Sequence, residues 1–285
     1  MTGMLCAVAT AVAAWWLSTG LVLILVRLAN RAERLSAVLA TTVAIVALAG
    51  LAQTARQSDL AGIYGAFACA LLAWTWHELT FLCGWITGPR RCALPGGLRG
   101  WQRFVQSLRA ILWHELGIAV VALVIVALAW GQPNQVGVGT FLVLWVMRAS
   151  AKLNLFLGVR NLSEQFLPDH LVYLQSFFRR RRMNAFFPLA VGLALLALAA
   201  IIAAALHPDA SPAESAGHTL VATMLALAIV EHAMLVLPLD TVAPWRWALA
   251  QRPVKGSESA QPAPTPREPV GVAAAGSDEK LLHAR

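Results

Sequence analysis

The chain has 285 residues, 59% of them hydrophobic and 13% charged, with a mean hydropathy of +0.66. Soluble domains are roughly 45–50% apolar and about 25% charged, so a soluble globular core is excluded. The net charge of +8 in such a chain reports membrane orientation and does not point to a nucleic-acid partner.

Apolar runs at 4 to 26, 35 to 54, 60 to 87, 106 to 130, 137 to 158, 186 to 206 and 214 to 239 each reach the roughly 20 residues needed to cross a bilayer core. They predict an all-α integral membrane protein, a bundle of seven transmembrane helices occupying residues 1–250. The first run follows no basic n-region and is too long for a signal-peptide core, so it is expected to persist in the mature protein. Between the fourth and fifth runs GQPNQ carries a Pro-Asn turn signal. Before the seventh, Ser211, Pro212 and Glu214 form the pattern of a capping box with proline at the first helical position.

Charge orients the bundle. Arg27, Arg31 and Arg34 follow the first span, Arg90, Arg91, Arg99, Arg103 and Arg109 surround the third connection, and Arg160 with Arg179 to Arg182 occupy the fifth. With those beyond the seventh span, 19 of the 22 basic residues fall on one side and Arg56 on the other. The positive-inside rule then places the C-terminus in the cytoplasm and the N-terminus outside. In the fifth connection Leu167, Leu171, Leu174 and Phe178 fall at helical spacing just before the arginine run. They predict an amphipathic helix at about 165–182 on the cytoplasmic surface, with Arg179 to Arg182 as a topological anchor or a contact for anionic lipid. Residues 251–285, rich in Pro, Ala, Ser and charge, read as a disordered tail.

Four cysteines, Cys6, Cys69, Cys83 and Cys92, form no CxxC pair and indicate neither a disulfide framework nor a zinc ribbon. No Walker loop, dinucleotide fingerprint, nucleophile elbow or HExxH motif is present. Trp15, Trp16, Trp74, Trp76, Trp113 and Trp145 lie inside spans, where they serve helix packing or form an aromatic wall for a pigment or prenyl tail.

The informative residues are the ionisable ones inside the spans, since each costs about 2.5–3.5 kcal/mol at a helix centre on insertion scales. They are His77 and Glu78 in TWHELTF, His114 and Glu115 in LWHELGI, Arg148 and Lys152 in VMRASAKLN, and Glu231 and His232 in IVEHAML. Counted from the expected helix ends, all four segments carry charge in the cytoplasmic half, which predicts one convergent polar layer. Arg148 and Lys152, at i and i+4, share a helix face, and Asn154 extends the polar surface of that helix.

Three readings stand open for this layer. One is a buried charge network of Arg148, Lys152 and Asn154 with the glutamates. A second is a metal site drawing on His77, Glu78, His114, Glu115, Glu231 and His232, a donor set that suits zinc or iron. The third is a proton or substrate relay, or histidine ligation of haem or bacteriochlorophyll. Three glutamates with Arg148 and Lys152 sum to −1, so one divalent metal leaves about +1 and two leave about +3 in low dielectric. A single ion is compatible and a di-metal centre is not, although Arg148 and Lys152 beside a cation count against any metal unless they neutralise an anionic substrate such as a propionate.

The strings AAWWLSTGLVL, WHELTFLCGWITGPRR, GQPNQVGVGTFLVLWVMRASAKLNLFLGVRNLSEQFLPDHLVYL, FRRRRMNAFFP and EHAMLVLPLD resemble the PuhE family of photosynthetic complex assembly proteins, over residues 11 to 250. The resemblance implies a phototrophic bacterium and a gene near that of the reaction-centre H subunit. It also implies an integral membrane accessory factor, in the inner or intracytoplasmic membrane, for assembly of the reaction centre and core light-harvesting complex. Partners would be the subunits of those complexes and membrane lipids, with an influence on bacteriochlorophyll supply. It carries over no catalytic residue. The rival expectation is a membrane-embedded, metal-dependent enzyme acting on a tetrapyrrole or lipid, with His77, His114 and His232 as ligands and a glutamate as general base.

Overall fold

The computed structural model describes residues 2–29, 32–240 and 243–249. The expected tail at 251–285, and Arg31, lie outside the described residues. Among the described residues seven helices are long and apolar enough to cross a membrane: α1 (Thr2–Ala29), α2 (Glu33–Thr54), α3 (Leu60–Leu82), α4 (Gly100–Ala129), α5 (Val136–Leu157), α6 (Phe186–Ala205) and α7 (Pro212–Val236). Two further short pieces, Ala243–Trp245 and Arg246–Leu249, follow. The protein is an all-α, seven-helix membrane bundle; among the described residues the only bridge of β type is an isolated one between Val159 and Arg180.

The helix ends are fixed by side chains that satisfy the orphaned backbone groups. Asp59 caps α3 by accepting from the Gly62 amide at 2.9 Å. The expected capping box opens α7, with Ser211 Oγ accepting from Glu214 N and Glu214 Oε2 from Ser211 N. On the same outer side, Asn134 of the GQPNQ turn is buried and donates its amide and its side chain to the Ala55 and Thr54 carbonyls at the end of α2, each at 3.0 Å. Asn184 does the equivalent at the opposite end. Its Oδ1 accepts from the Phe186 and Phe187 amides that start α6, while its Nδ2 donates to Asn154 Oδ1 at 3.0 Å and to the Gly158 carbonyl at 2.9 Å.

α3 and α7 bury the largest share of their surface. Small residues let the backbones approach, the packing device of membrane helices. Ala7 and Ala11 of α1 meet Ile63 and Phe67 of α3 and Ala213, Ala216 and Leu220 of α7, with Val136, Val143 and Leu144 of α5 at the edge. Four helices are thus closed by an apolar cluster in the half nearer the outer connections. The outward faces of α2, α4 and α6 are apolar and open, as at Val46, Leu123 and Leu196, the surface that lipid covers.

Three expectations are corrected. The fifth connection forms 3-10 helices at Glu164–Phe166 and Asp169–Phe177 and not one amphipathic α-helix at 165–182. Pro168 interrupts the run, and Leu171, Leu174 and Phe177, at the three-residue spacing of a 3-10 helix, are buried against Val22, Val26, Leu79, Leu82 and Ala110. The segment is therefore a cap inserted under the bundle. The third span stops at Leu82, where Cys83 and the positive-φ Gly84 turn the chain. α4 starts at Gly100, six residues before the expected 106, so Arg103 lies in its first turns. Arg103 is 5% exposed and donates to the Phe156 and Phe177 carbonyls at 3.0 and 2.5 Å, clamping α4 to α5 and to the 3-10 segment.

The connections at 83–99 and 158–185 also touch directly. The Leu94 amide donates to Ser176 Oγ at 2.8 Å, and His170 Nε2 lies 3.0 Å from the Leu82 carbonyl. Both belong to the end that the positive-inside rule assigns to the cytoplasm. Cys92 is exposed in the first of them, whereas burial, and secondarily Glu33, push the Cys83 thiol up to about 11, so it stays protonated and unreactive. A membrane-impermeant maleimide is expected to label Cys92 in inverted vesicles and not in right-side-out ones; labelling in the opposite sense would reverse the orientation.

Candidate functional site

The polar layer is built around α5. Residues 148, 150 and 152 of VMRASAKLN face three neighbouring helices, and each meets one of the three His/Glu dipeptides. Arg148 Nη2 donates to Glu78 Oε2 of α3 at 2.7 Å. Lys152 Nζ donates to Glu115 Oε1 of α4 at 2.6 Å. Ser150, about 200° around the helix from Arg148, reaches His232 Nε2 of α7 at 2.9 Å. The other His232 nitrogen, Nδ1, lies 2.9 Å from the Ala228 carbonyl. A carbonyl only accepts, so Nδ1 carries the proton, and in the neutral imidazole Nε2 accepts the Ser150 hydroxyl.

Consecutive residues on a helix point about 100° apart, which separates the members of each dipeptide. On α3 and α4 the histidine turns inward and the glutamate toward α5. On α7 the histidine takes α5 and Glu231 turns to α1, where Trp15 Nε1 donates to Glu231 Oε1 at 2.6 Å. The two cations are thereby committed to Glu78 and Glu115. Glu231 has a neutral indole for its direct partner, with Arg148 within Coulombic reach.

The helix ends do not set the common depth of these groups. His77 lies five residues before the end of α3, about 7.5 Å along its axis, and His114 fourteen residues after the start of α4, about 21 Å. The two rings are nevertheless neighbours, with centroids 6.4 Å apart and planes at 77°. The offset arises because α4 begins well outside the depth at which α3 ends. The connection between them then folds back along α4: the Thr87 carbonyl accepts the His114 amide at 2.9 Å, and Gly88 lies directly against the Arg109–Ala110 backbone.

The environment is graded. The Lys152 and Glu115 side chains are each 20% exposed, whereas Arg148 is 45% exposed beside a Glu78 that is 14% exposed. His77 and His114 are enclosed by rings, with Trp76 at 4.9 Å and Phe141 at 5.9 Å from His77 and Phe81 at 4.4 Å from His114. Trp74 closes a further side at 6.4 Å.

Of the nine residues expected at this site, Glu78, Glu115, Arg148 and Lys152 pair across helices, His77 and His114 meet each other, and Glu231 and His232 take partners of their own. Asn154, fully buried, bonds to Asn184 and to the Ser150 carbonyl and thus belongs to the joint between α5 and α6. Among the described residues no three His, Cys, Asp or Glu side chains gather as a metal-ligand group; the six candidate ligands do not form one set. Sequence reasoning passed over Trp15 as a hydrogen-bond donor and Ser150 as a histidine partner. The second had a signal, the polar spacing i, i+2, i+4 in RASAK.

A family model described as a protein of unknown function, DUF3623, matches residues 1–255. The chain is 35% identical, over 266 residues that span 92% of it and 96% of the relative, to an uncharacterized 30.4 kDa protein in the puhA 5′ region of Rhodobacter capsulatus. No solved structure matches.

Proposed function

We propose that this chain, which belongs to the DUF3623 family, is a PuhE-type accessory factor for assembly of the photosynthetic reaction centre and its core light-harvesting complex. It would act in the inner or intracytoplasmic membrane of a phototrophic bacterium and influence bacteriochlorophyll supply. The observation that carries this reading is the nearly full-length similarity to a protein named for its place in the puhA 5′ region. That genomic place agrees with the one implied by the PuhE resemblance of the sequence strings.

Two physical features suit the role. The open apolar faces of α2, α4 and α6 offer lipid-phase surface to other membrane subunits, where association relies on close packing. The arginine-rich connections offer charge to acidic segments or anionic lipid at the cytoplasmic surface.

In a strain lacking the gene, membranes are expected to lose core-complex absorbance severalfold, with recovery when the gene is supplied in trans. Membranes with an unchanged near-infrared spectrum and unchanged reaction-centre content would remove this reading.

A further inference from the structure

We propose that His77 and His114 together hold one monovalent soft metal ion, of the copper(I) class, between α3 and α4. The starting observation is a deficit of partners. His77 Nε2 and both ring nitrogens of His114 have no hydrogen-bond partner, although the two residues are 2% and 1% exposed. A neutral imidazole has one donor and one acceptor nitrogen, and a buried polar group left unmatched forfeits the hydrogen bonds it makes in water. Native structures pair the great majority of such groups. The third histidine of the layer obeys that rule, with both nitrogens of His232 engaged. The pair on α3 and α4 does not, and its unmatched atoms are of one kind, imidazole nitrogen, a metal donor.

The spacing narrows the ion. The ring centroids lie 6.4 Å apart, which leaves room for one ion bonded at about 2 Å to a nitrogen of each ring. Rings supply the surrounding wall: Trp74, Trp76 and Phe141 beside His77 and Phe81 on His114. Among the described residues no third His, Cys, Asp or Glu joins the pair. Zinc takes four ligands in its structural sites and is poorly served here. Copper(I), a soft d10 ion, accepts two donors in line.

Charge narrows it further. With neutral histidines, Glu78, Glu115 and Glu231 against Arg148 and Lys152 leave the layer at −1. One monovalent cation brings the sum to zero, and a divalent one overshoots to +1 in a medium where uncompensated charge is costly. The ion is bound without any change of oxidation state. It stands on the histidine pair and the charge balance, independently of the assembly role.

The test uses the full-length protein purified in detergent. Copper(I) is titrated anaerobically against a chromophoric copper(I) chelator, and silver(I) serves as a redox-inert second probe. The expected result is one equivalent bound, retained in His218→Gln, whose side chain is exposed near the outer end of α7. His77→Gln and His114→Gln are expected to weaken binding beyond the about 10–100-fold typical of losing an outer-shell partner. Because a buried substitution can prevent insertion, X-ray absorption on the copper-loaded wild type supplies a second reading, with two nitrogen donors expected. Sulfur donors, which would mark adventitious binding at the exposed Cys6 or Cys92, overturn the proposal. So do a wild type that fails to compete for one equivalent, equal binding by folded His77→Gln and His114→Gln proteins, and an equal affinity for zinc.

Discussion

Lys152→Met is expected to destabilise the folded bundle by about 3–5 kcal/mol, the cost of stranding one member of a buried ion pair. Methionine preserves most of the apolar stem of lysine, so packing against the neighbouring helices changes little. The loss comes from Glu115, whose carboxylate then has no cation at 2.6 Å and sits in a span where water does not replace it. The double substitution Lys152→Met with Glu115→Gln is expected to recover most of that loss, because two uncharged side chains at this depth cost less than one lone charge. Reversible unfolding in mixed detergent micelles, run as a double-mutant cycle, reads the coupling directly. A double variant as unstable as the sum of the two single ones would mean that the pair acts through packing and not through charge.

The second large effect is at Gly88. A Cβ there would lie 2.1 Å from the Arg109 carbonyl oxygen and 2.6 and 2.7 Å from the Ala110 carbonyl carbon and oxygen. All three are backbone atoms of α4 and cannot swing aside as a side-chain tip does. Gly88→Ala must push the returning connection off the helix, breaking the bonds from the His114 amide to Thr87 and from the Arg90 amide to Arg109. The expected cost is about 3 kcal/mol, at the upper end for overpacking, accompanied by faster hydrogen exchange at the His114 amide. Gly96→Ala, in the same connection with open space around it, is expected to stay within about 0.5 kcal/mol of the wild type. Equal behaviour of the two variants would show that the connection is not seated on α4.

The seven spans were legible because a lipid environment demands apolar runs of fixed minimum length, and that demand is one-dimensional. The capping box at Ser211 was legible for the same reason, since its parts lie within four residues. The presence of a polar layer was also readable, because charge in a span is rare enough to stand out. Its wiring was not: the Trp15–Glu231 bond joins residues 216 apart, and no local pattern reports which helix lies beside which. Counting residues from helix ends gave a common depth for charge, but α4 extends about 21 Å before His114, so the end of a helix is a poor ruler when helices begin at different heights. The fifth connection misled because Leu171 and Leu174, three apart, fit both an α and a 3-10 spacing, and the inward burial of Phe177 depends on the bundle above it.

The ion pairs impose an order on biosynthesis. Glu78 precedes Arg148 by 70 residues, and Glu115 precedes Lys152 by 37. At a synthesis rate of about 5–20 residues per second, α3 emerges roughly 4–14 s before the arginine that neutralises its carboxylate. During that interval the nascent third and fourth helices carry unmatched charge, so they must wait beside the insertion machinery or hold protons on their glutamates. α5 is then the helix whose arrival releases both into the bilayer, which makes it the commitment step in the birth of the bundle.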